Sequence, residues 1–306
     1  MLLVIVGPTG AGKSTLALDL AGTFHGEIVN CDSMQLYRGF DIGTAKTPVA
    51  DRLNIPHHLF DVLAPSQLYS AGEYCTAARA TLKEISERGV LPVVVGGTGF
   101  YLRALLEGLP ALPQRNEELR SKLVEHEHRR PGSLHRVLAR LDPRAARRIH
   151  SNDIQKTVRA LEVRLVTQSP IPQASAAEPL RGYRLLKLGL DPDRTLLHAR
   201  LNARAQTMFS SGLIEEVRRL LAMGSTGDEK PFESLGYQQA LQHLHGHITL
   251  EQAIASTQLE TRQYAKRQWT WFRRDPQVRW LKGFGDDPTI RVQALDALQS
   301  FYKNSQ

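Results

Sequence analysis

Apolar runs and helical spacings alternate along the first part of the chain. Strands are predicted at residues 2–6, 27–30 and 90–95, and helices at residues 15–24, 70–88 and 100–107. Ser70 and Glu73 form a capping-box pattern at the start of the second helix. Residues 90–95 are almost continuously apolar and β-branched, which is typical of a strand buried on both faces of a parallel sheet.

The middle of the chain has a different pattern. Residues 116–168 are helical in spacing, with N-caps predicted at Ser133 and at Asp142, and residues 169–179 read as a loop rich in Pro, Ser and Ala. Strand-like spacing returns at residues 183–190, and helices are predicted within 194–223 and over 249–272. We therefore predict an all-helical insertion, residues 113–181, in a core formed by residues 1–112 and 182–306.

Three short segments follow predicted strands directly. They are residues 7–14, the pair Asp32-Ser33 and the pair Gly97-Thr98. Alternating strands and helices predict a mostly parallel sheet, and ligands bind at the carboxyl ends of such strands. We therefore expect these three segments to meet at one edge of the sheet.

The first of these segments carries a phosphate-binding motif. Residues 7–14 match G-x-x-x-x-G-K-[ST] between a strand and a helix. Glycines let successive backbone N–H groups point at phosphate oxygens, Lys13 adds a full charge, and Ser14 can bind Mg²⁺. The predicted phosphate-binding residues are Gly7, Pro8, Thr9, Gly10, Ala11, Gly12, Lys13 and Ser14. The fold class is thus α/β, a P-loop NTPase-like, mostly parallel sheet flanked by helices with an inserted all-helical domain.

Composition narrows the class of protein. A hydrophobic fraction of 42% and a charged fraction of 23% in 306 residues are typical of a soluble globular protein. The apolar run at residues 1–6 is too short for a signal peptide or a membrane span, so we expect a cytoplasmic protein. Two distant cysteines, Cys31 and Cys75, do not indicate a disulfide framework or a cysteine metal site.

Positive charge is concentrated in the predicted insertion. The formal net charge is +8, and residues 129–159 contain nine Arg and Lys against two Asp. Such a field attracts phosphate backbones. A solvated basic helical face is the alternative interpretation, and the residues alone favour neither.

The phosphate motif does not identify its ligand. ATPases of this class carry an Asp at the end of an apolar strand to hold Mg²⁺, whereas residues 90–95 are followed by Gly-Gly, and Asp32 is the remaining candidate. A small-molecule kinase that uses ATP therefore stays an alternative. A non-enzymatic RNA-binding module is a second one, but it leaves Lys13, Ser14 and Asp32 without a role.

Five segments together resemble the tRNA dimethylallyltransferase family, also called tRNA isopentenyltransferases. They occur in the family's order and span the chain from residue 7 to about residue 274. The segments are 7–15, 32–46, 96–109, 148–163 and 236–268. The resemblance implies that a dimethylallyl group passes from dimethylallyl diphosphate to N6 of the adenine just 3′ of the anticodon in tRNA.

The resemblance also assigns roles to residues. It implies that Asp32 is the base that removes the N6 proton, with a water-mediated Mg²⁺ ligand as its alternative role. Thr98 and Arg204 are implied as catalytic partners, Arg204 on the diphosphate; Thr15 joins the diphosphate site, and the enzyme is expected to be a monomer. The implied tRNA-binding residues are Asp32, Ser33, Met34, Gln35, Thr98, Arg120, Gln155, Lys156, Thr157, Val158, Arg159, Gly236 and Tyr237.

Aromatic side chains are candidates for stacking on the adenine. A base must leave its stack to enter an active site, and loop bases in RNA are often held by aromatic rings. The candidates are Tyr37, Phe100, Tyr101 and Tyr237, with packing in the protein core as the alternative for each.

Overall fold

The computed structural model describes residues 1–110, 112–170 and 177–303, which form two compact units. The core unit comprises Met1–Leu106 with Leu180–Gln306, and the helical unit comprises Glu107–Pro179. The predicted insertion, residues 113–181, thus corresponds to a unit that begins six residues earlier and ends two residues earlier. Most of the predicted loop at 169–179, residues 171–176, lies outside the described residues.

Six parallel strands form one sheet in the core unit, which confirms the predicted α/β fold. The strands are β1 (Leu2–Val6), β2 (Gly26–Asn30), β3 (His57–His58), β4 (Leu91–Val95), β5 (Leu185–Leu190) and β6 (Val278–Leu281). Their order across the sheet is β3-β2-β4-β1-β5-β6. The central strand β1 pairs with β4 on one side and β5 on the other, so the loop after β1 lies in the middle of the carboxyl edge.

The helices of the core unit cover the sheet. They are α1 (Lys13–Thr23), α2 (Ala71–Glu87), α3 (Gly99–Glu107), α8 (Arg194–Ser210), α9 (Leu213–Ala222), α10 (Tyr237–Leu244), α11 (Leu250–Phe272) and α12 (Pro288–Lys303). All five residues of β1 are buried, as expected for a central parallel strand. Leu3 and Ile5 pack with Leu16 and Leu20 of α1 and with the apolar residues of α12. No helix among the described residues is long and apolar enough to cross a membrane.

Four helices form the helical unit around a small apolar core. They are α4 (Glu117–Arg129), α5 (Ser133–Leu141), α6 (Pro143–Arg148) and α7 (Ile154–Thr167). Asp142 caps α6 as predicted, because its carboxylate accepts a hydrogen bond from the Ala145 N–H at 2.9 Å. The predicted cap at Ser133 is wrong. Gly132 precedes α5 in a left-handed conformation, and the Glu127 carboxylate takes the N–H groups of Gly132 and Leu134 instead.

A buried carboxylate ties α4 to α7 in the helical unit. The side chain of Glu162 is fully buried and accepts hydrogen bonds from Arg120 at 3.1 Å and from Arg159 at 2.6 Å. Burial by itself raises the pKa of Glu162, but the hydrogen bonds from Arg159 and the Asn116 N–H outweigh it, and the net pKa is lowered. The carboxylate is therefore charged at neutral pH and compensated on two sides.

Replacing Glu162 tests whether its ion pairs with Arg120 and Arg159 stabilise the helical unit. We expect Glu162→Ala to lower the free energy of unfolding by about 3 kcal/mol, because removal of one partner from a buried ion pair leaves the other charges uncompensated. Urea unfolding followed by circular dichroism measures the change. Glu125→Ala removes only the exposed partner of Arg129 and should cost under about 1 kcal/mol; equal losses in the two variants would contradict the interpretation.

Candidate active site

A cavity of about 440 Å³ lies in the core unit at the carboxyl edge of the sheet. Five of the predicted site residues line it, namely Thr9, Asp32, Ser33, Met34 and Arg204. The other lining residues are Gly43, Thr44, Leu201, Ala205, Met208, Lys230, Glu233, Ser234, Leu235, Thr257, Glu260, Thr261, Tyr264 and Arg267. The cavity is thus bordered by the loop after β1, by the segment after β2, and by helices α8 and α11.

The glycine-rich loop, residues 7–15, joins β1 to α1. Gly7, Gly10 and Gly12 have φ values of 139°, 77° and 85°, a region that favours glycine over other residues. Gly12 precedes α1 and Lys13 begins it, so the backbone N–H groups of the first helical turn point out of the helix. The Lys13 ammonium folds back and donates a hydrogen bond to the Pro8 carbonyl at 2.8 Å. The predicted strand, loop and helix are therefore present in the order that phosphate binding needs.

Lys13 is a partly buried cation that interacts with charges of both signs. Burial lowers its pKa to about 8, while the charge of Asp32 raises it and that of Arg204 lowers it further. Burial also lowers the pKa of Arg204, and Asp32 again opposes the shift. The three side chains thus form one electrostatic group, in which two poorly hydrated cations share a single carboxylate. A bound anion would complete the compensation.

Asp32 is held in a defined position after β2. Its backbone N–H donates to the Asn30 side chain at 2.8 Å, and its Oδ1 accepts from the Met34 N–H at 3.0 Å. Asn30 is fully buried and is itself fixed through its hydrogen bond to the Leu59 carbonyl at 2.9 Å. Within the described residues, Oδ2 of Asp32 accepts no hydrogen bond, so this oxygen is available to accept a proton from a ligand in the cavity.

Thr98 supports the segment beside Asp32. Its hydroxyl accepts a hydrogen bond from the Ser33 N–H at 3.0 Å and lies 3.3 Å from the Ser33 hydroxyl. The Gly96 backbone approaches Cys31 so closely that a Cβ at Gly96 would lie 2.1 Å from the Cys31 carbonyl oxygen. Thr98 therefore lies next to the predicted base and positions its neighbour, although it does not line the cavity.

Tyr237 holds the segment 41–44, which forms another part of the cavity wall. Its fully buried hydroxyl donates to the Glu216 carboxylate and accepts from the Gly43 N–H at 3.1 Å. Glu216 also accepts the N–H groups of Asp41 and Ile42 at 3.2 Å. Burial raises the pKa values of both Tyr237 and Glu216. The predicted contact of Tyr237 with RNA is not possible for its ring in this arrangement.

The other three residues predicted to stack on the adenine differ in solvent exposure. Tyr37 and Tyr101 are buried, and Tyr101 stacks on Tyr74 with ring centroids 4.4 Å apart. The core-packing alternative therefore describes these two and Tyr237. Phe100 is 49% exposed and is the member of the predicted set with an accessible ring.

Two other residues of the core unit that were predicted to contact tRNA, Gln35 and Gly236, form hydrogen bonds within the protein. The Gln35 amide donates to the Thr44 carbonyl at 3.0 Å, and the Gly236 N–H donates to the Gln239 side chain at 2.8 Å. Both therefore stabilise the segments that they belong to. The Ser14 hydroxyl and the Thr15 side chain follow Lys13 in the first turn of α1.

Two helical faces of the cavity were missed by the sequence analysis. Leu201, Ala205 and Met208 lie on the same face of α8 as Arg204, and Thr257, Thr261 and Tyr264 lie on one face of α11. Burial, and secondarily the charge of Asp32, raises the pKa of Tyr264. The spacing of these residues by three and four positions was visible in the sequence, but the faces mix apolar and polar side chains and have no characteristic pattern.

The predicted tRNA-binding residues of the helical unit have unequal surroundings. Gln155 and Lys156 are exposed, whereas Thr157 and Val158 are buried and their side chains are not available to RNA. Arg120 and Arg159 are both engaged by Glu162. Five exposed arginines of α5 and α6 form no ion pair within the part of the chain that the structure describes, namely Arg136, Arg140, Arg144, Arg147 and Arg148. These five, which we call the basic face, are the cations best placed to meet a polyanion.

The residues present fit a magnesium ion only together with a phosphorylated ligand. The described residues contain no cluster of three or more His, Cys, Asp or Glu side chains that could hold a metal. Ser14 offers one hydroxyl oxygen, and Asp32 offers one carboxylate oxygen without a hydrogen bond. Mg²⁺ is commonly bound through one or two protein groups plus substrate phosphates, which matches this small donor set.

The fold and the site define an α/β protein with a glycine-rich loop and a carboxylate at the same edge of one parallel sheet. The chain matches the family model for IPP transferase over residues 35–275 and belongs to that family. It is 56% identical over 302 residues to a tRNA dimethylallyltransferase of Solibacter usitatus, with 98% of each chain covered, and 53% identical to one of Koribacter versatilis, again with 98% of each covered. The resemblance inferred from the sequence is thereby confirmed.

Solved structures agree with this assignment. The tRNA isopentenylpyrophosphate transferase of Bacillus halodurans is 36% identical with a TM-score of 0.72, covering 99% of this chain and 98% of its own. A eukaryotic dimethylallyltransferase that acts on tRNA gives a TM-score of 0.81 at 27% identity and covers 99% of this chain and 79% of its own. The arrangement of sheet and helices is therefore that of the family.

The lowered pKa of Lys13 gives the site a testable pH dependence. Below pH 8 the ammonium is charged, and above it the free protein loses the charge that an anion needs. We expect the dissociation constant for dimethylallyl diphosphate to rise about tenfold between pH 7 and pH 9, measured by calorimetry. Lys13→Arg keeps its charge over this pH range and should remove most of the change in the dissociation constant with pH. An equal change in both proteins would contradict the role of Lys13 in binding the diphosphate.

Proposed function

We propose that this protein is a tRNA dimethylallyltransferase that modifies N6 of the adenine 3′-adjacent to the anticodon. The observation that carries the proposal is one cavity lined by both Asp32 and Arg204, with the charge of Lys13 coupled to both. The family membership and the named relatives support it. The kinase alternative is not favoured, because these relatives are named tRNA dimethylallyltransferases and match nearly the full length of the chain.

The diphosphate of dimethylallyl diphosphate lies on the glycine-rich loop. Backbone N–H groups at the start of α1, the Lys13 ammonium and the Arg204 guanidinium bind its oxygens. Negative charge on this group grows as the bond between C1 and oxygen breaks, so the same contacts become stronger in the transition state. Burial of both cations makes them more effective here than they would be in water.

The adenine enters the same cavity from the side of Asp32. Its N6 attacks C1 of the dimethylallyl group, the electron pair of the broken C1–O bond leaves with the diphosphate, and N6 loses one proton. Asp32 accepts this proton through the oxygen that has no hydrogen bond in the structure. Thr98 keeps the neighbouring Ser33 in place, so the carboxylate is held at a fixed position relative to the loop.

Mg²⁺ completes the proposed site. The Ser14 hydroxyl and oxygens of the diphosphate would hold it, with Asp32 as a partner through water in the alternative assignment. When bound, it would neutralise part of the charge on the leaving diphosphate. Lys13 and Arg204 supply the remaining positive charge from the protein.

The basic face of the helical unit binds the anticodon stem-loop through its phosphates. Its five exposed arginines form no ion pair among the described residues, and arginine contacts to phosphates position RNA without reading its sequence. Because tRNA is the substrate, we expect the enzyme to act in the cytoplasm. We also expect the enzyme to act as a monomer.

Supplying each candidate donor separately tests the function. Incubation with tRNA and dimethylallyl diphosphate should give a prenylated tRNA and one diphosphate per modification, without ATP. Lys13→Ala should abolish most turnover because the leaving group loses its buried cation. Mass spectrometry of nucleosides and a diphosphate assay follow both products. A phosphorylated product with ATP, and no prenylation with the allylic diphosphate, would contradict the proposal.

Asp32→Asn tests the role of Asp32 as the base. We expect a loss of about 10²–10⁴-fold in the single-turnover rate, the usual contribution of general-base catalysis, with the affinity for tRNA and the fold unchanged. Rapid-quench measurements at saturating substrates give this rate. A rate within about threefold of the unmodified enzyme would exclude Asp32 as the base.

Charge reversal on the basic face tests its role. The triple variant Arg144→Glu, Arg147→Glu and Arg148→Glu should bind tRNA far more weakly and show a reduced dependence of affinity on salt, since each lost phosphate contact lowers the slope by roughly 0.7–0.9. Three exposed cations of the core unit, Lys83, Arg218 and Lys303, provide a control of equal charge change. Filter binding at several salt concentrations measures the tRNA affinity of both triple variants. Equal affinities and equal salt dependences would contradict the role of the basic face in tRNA binding.

A further inference from the structure

Gln268 connects two loops of the site through one buried amide. It lies on α11 and is 5% exposed. Its Oε1 accepts a hydrogen bond from the Thr9 N–H at 2.7 Å, and its Nε2 donates to the Gly97 carbonyl at 2.9 Å. The glycine-rich loop and the loop before α3 are thus held to the same side chain, far from both along the sequence.

The orientation of this amide is fixed by its partners. The Thr9 N–H can only donate and the Gly97 carbonyl can only accept, so a reversed amide would place donor against donor and acceptor against acceptor. The backbone at Gly97 is also unusually close, since a Cβ there would lie 2.1 Å from Nε2. The contact therefore requires both a glycine at 97 and an intact amide at 268.

Each end of the amide leads to a different part of the reaction. Thr9 is the member of the glycine-rich loop that lines the cavity. Gly97 precedes Thr98, which holds the Ser33 N–H next to Asp32. The amide thereby connects the anion-binding loop to the segment that carries the base.

We infer that Gln268 is a positioning residue that sets the separation between the diphosphate loop and Asp32. The inference rests on the proposed function, in which these two groups act on opposite sides of the carbon that is transferred. Loss of the amide leaves a buried N–H and a buried carbonyl without partners, and the two loops then move independently. Displacements of about 1 Å can cost about 10²-fold in rate, so the chemical step should be more sensitive than substrate binding.

A methionine substitution removes the amide while keeping the length of the side chain. We expect Gln268→Met to lower the single-turnover rate at saturating substrates at least about tenfold, while tRNA affinity changes less than about twofold. Gln258→Met is the matched control. Gln258 lies on the same helix and donates one hydrogen bond to the Asn202 carbonyl at 3.1 Å, outside the cavity lining. It should retain a near-normal rate.

A second variant distinguishes positioning from general support of the fold. In Gln268→Glu, a protonated carboxyl reproduces both hydrogen bonds, whereas the carboxylate cannot donate to the Gly97 carbonyl. Burial beside a carbonyl favours the protonated form. The rate of Gln268→Glu relative to the unmodified enzyme should therefore rise as the pH falls from 9 to 6, and that of Gln268→Met should not. Lys13, Asp32, Arg204 and Tyr264 surround the site in both proteins, so their common titration cancels in the ratio.

The outcomes separate this inference from the proposed function. Prenylation by the unmodified enzyme together with a near-normal rate in Gln268→Met would overturn the inference alone. A rate ratio for Gln268→Glu that does not change with pH would also overturn it. An unmodified enzyme that transfers no prenyl group would instead overturn the proposed function. Thermal unfolding of all variants identifies any that fail to fold, and Gln268→Glu at low pH then carries the test.

Discussion

The site depends on a lysine cation that the fold keeps poorly hydrated. Lys13 lies partly buried at the start of α1, and desolvation lowers its pKa to about 8, so the folded protein compensates the lost hydration only in part. Asp32 is the stabilising neighbour, and Arg204 is a competing cation. A ligand with a strong negative charge relieves this imbalance, and a leaving group whose charge grows during the reaction relieves it most in the transition state.

Buried polar side chains hold the loops that create this arrangement. Asn30 fixes the Asp32 turn, Gln268 joins the glycine-rich loop to Gly97, and Glu216 with Tyr237 secures residues 41–44. The sheet brings the loops to one edge, but parallel pairing alone does not set their distances. Each of these side chains comes from a different element and satisfies backbone groups that would otherwise be buried without partners.

Local patterns predicted the elements that depend on local physics. The strands at 2–6 and 90–95, the glycine-rich loop and the capping box at Ser70 are all present. Strands β3 and β6, with two and four residues, are too short to show a pattern, and they form by hydrogen bonding to the neighbouring strands β2 and β5. The cap at Ser133 failed because the carboxylate of Glu127, from the preceding helix, replaced it.

The sequence likewise predicted some residues of the candidate site correctly and others not. Asp32 and Arg204 meet in one cavity as the motifs indicated, whereas Thr157, Val158 and Tyr237 were expected at RNA and are buried. Gln268 and Tyr264 lie in the segment 236–268 that carries part of the family resemblance. Their individual roles could not be read from the sequence, because these roles depend on contacts across the fold. In the proposed reaction the leaving group and the base share one cavity. A crystal structure with a non-hydrolysable thiolo analogue of dimethylallyl diphosphate tests this arrangement directly. We expect the diphosphate on Lys13 and Arg204, with C1 directed toward Asp32. A diphosphate bound elsewhere, or C1 directed away from Asp32, would contradict it.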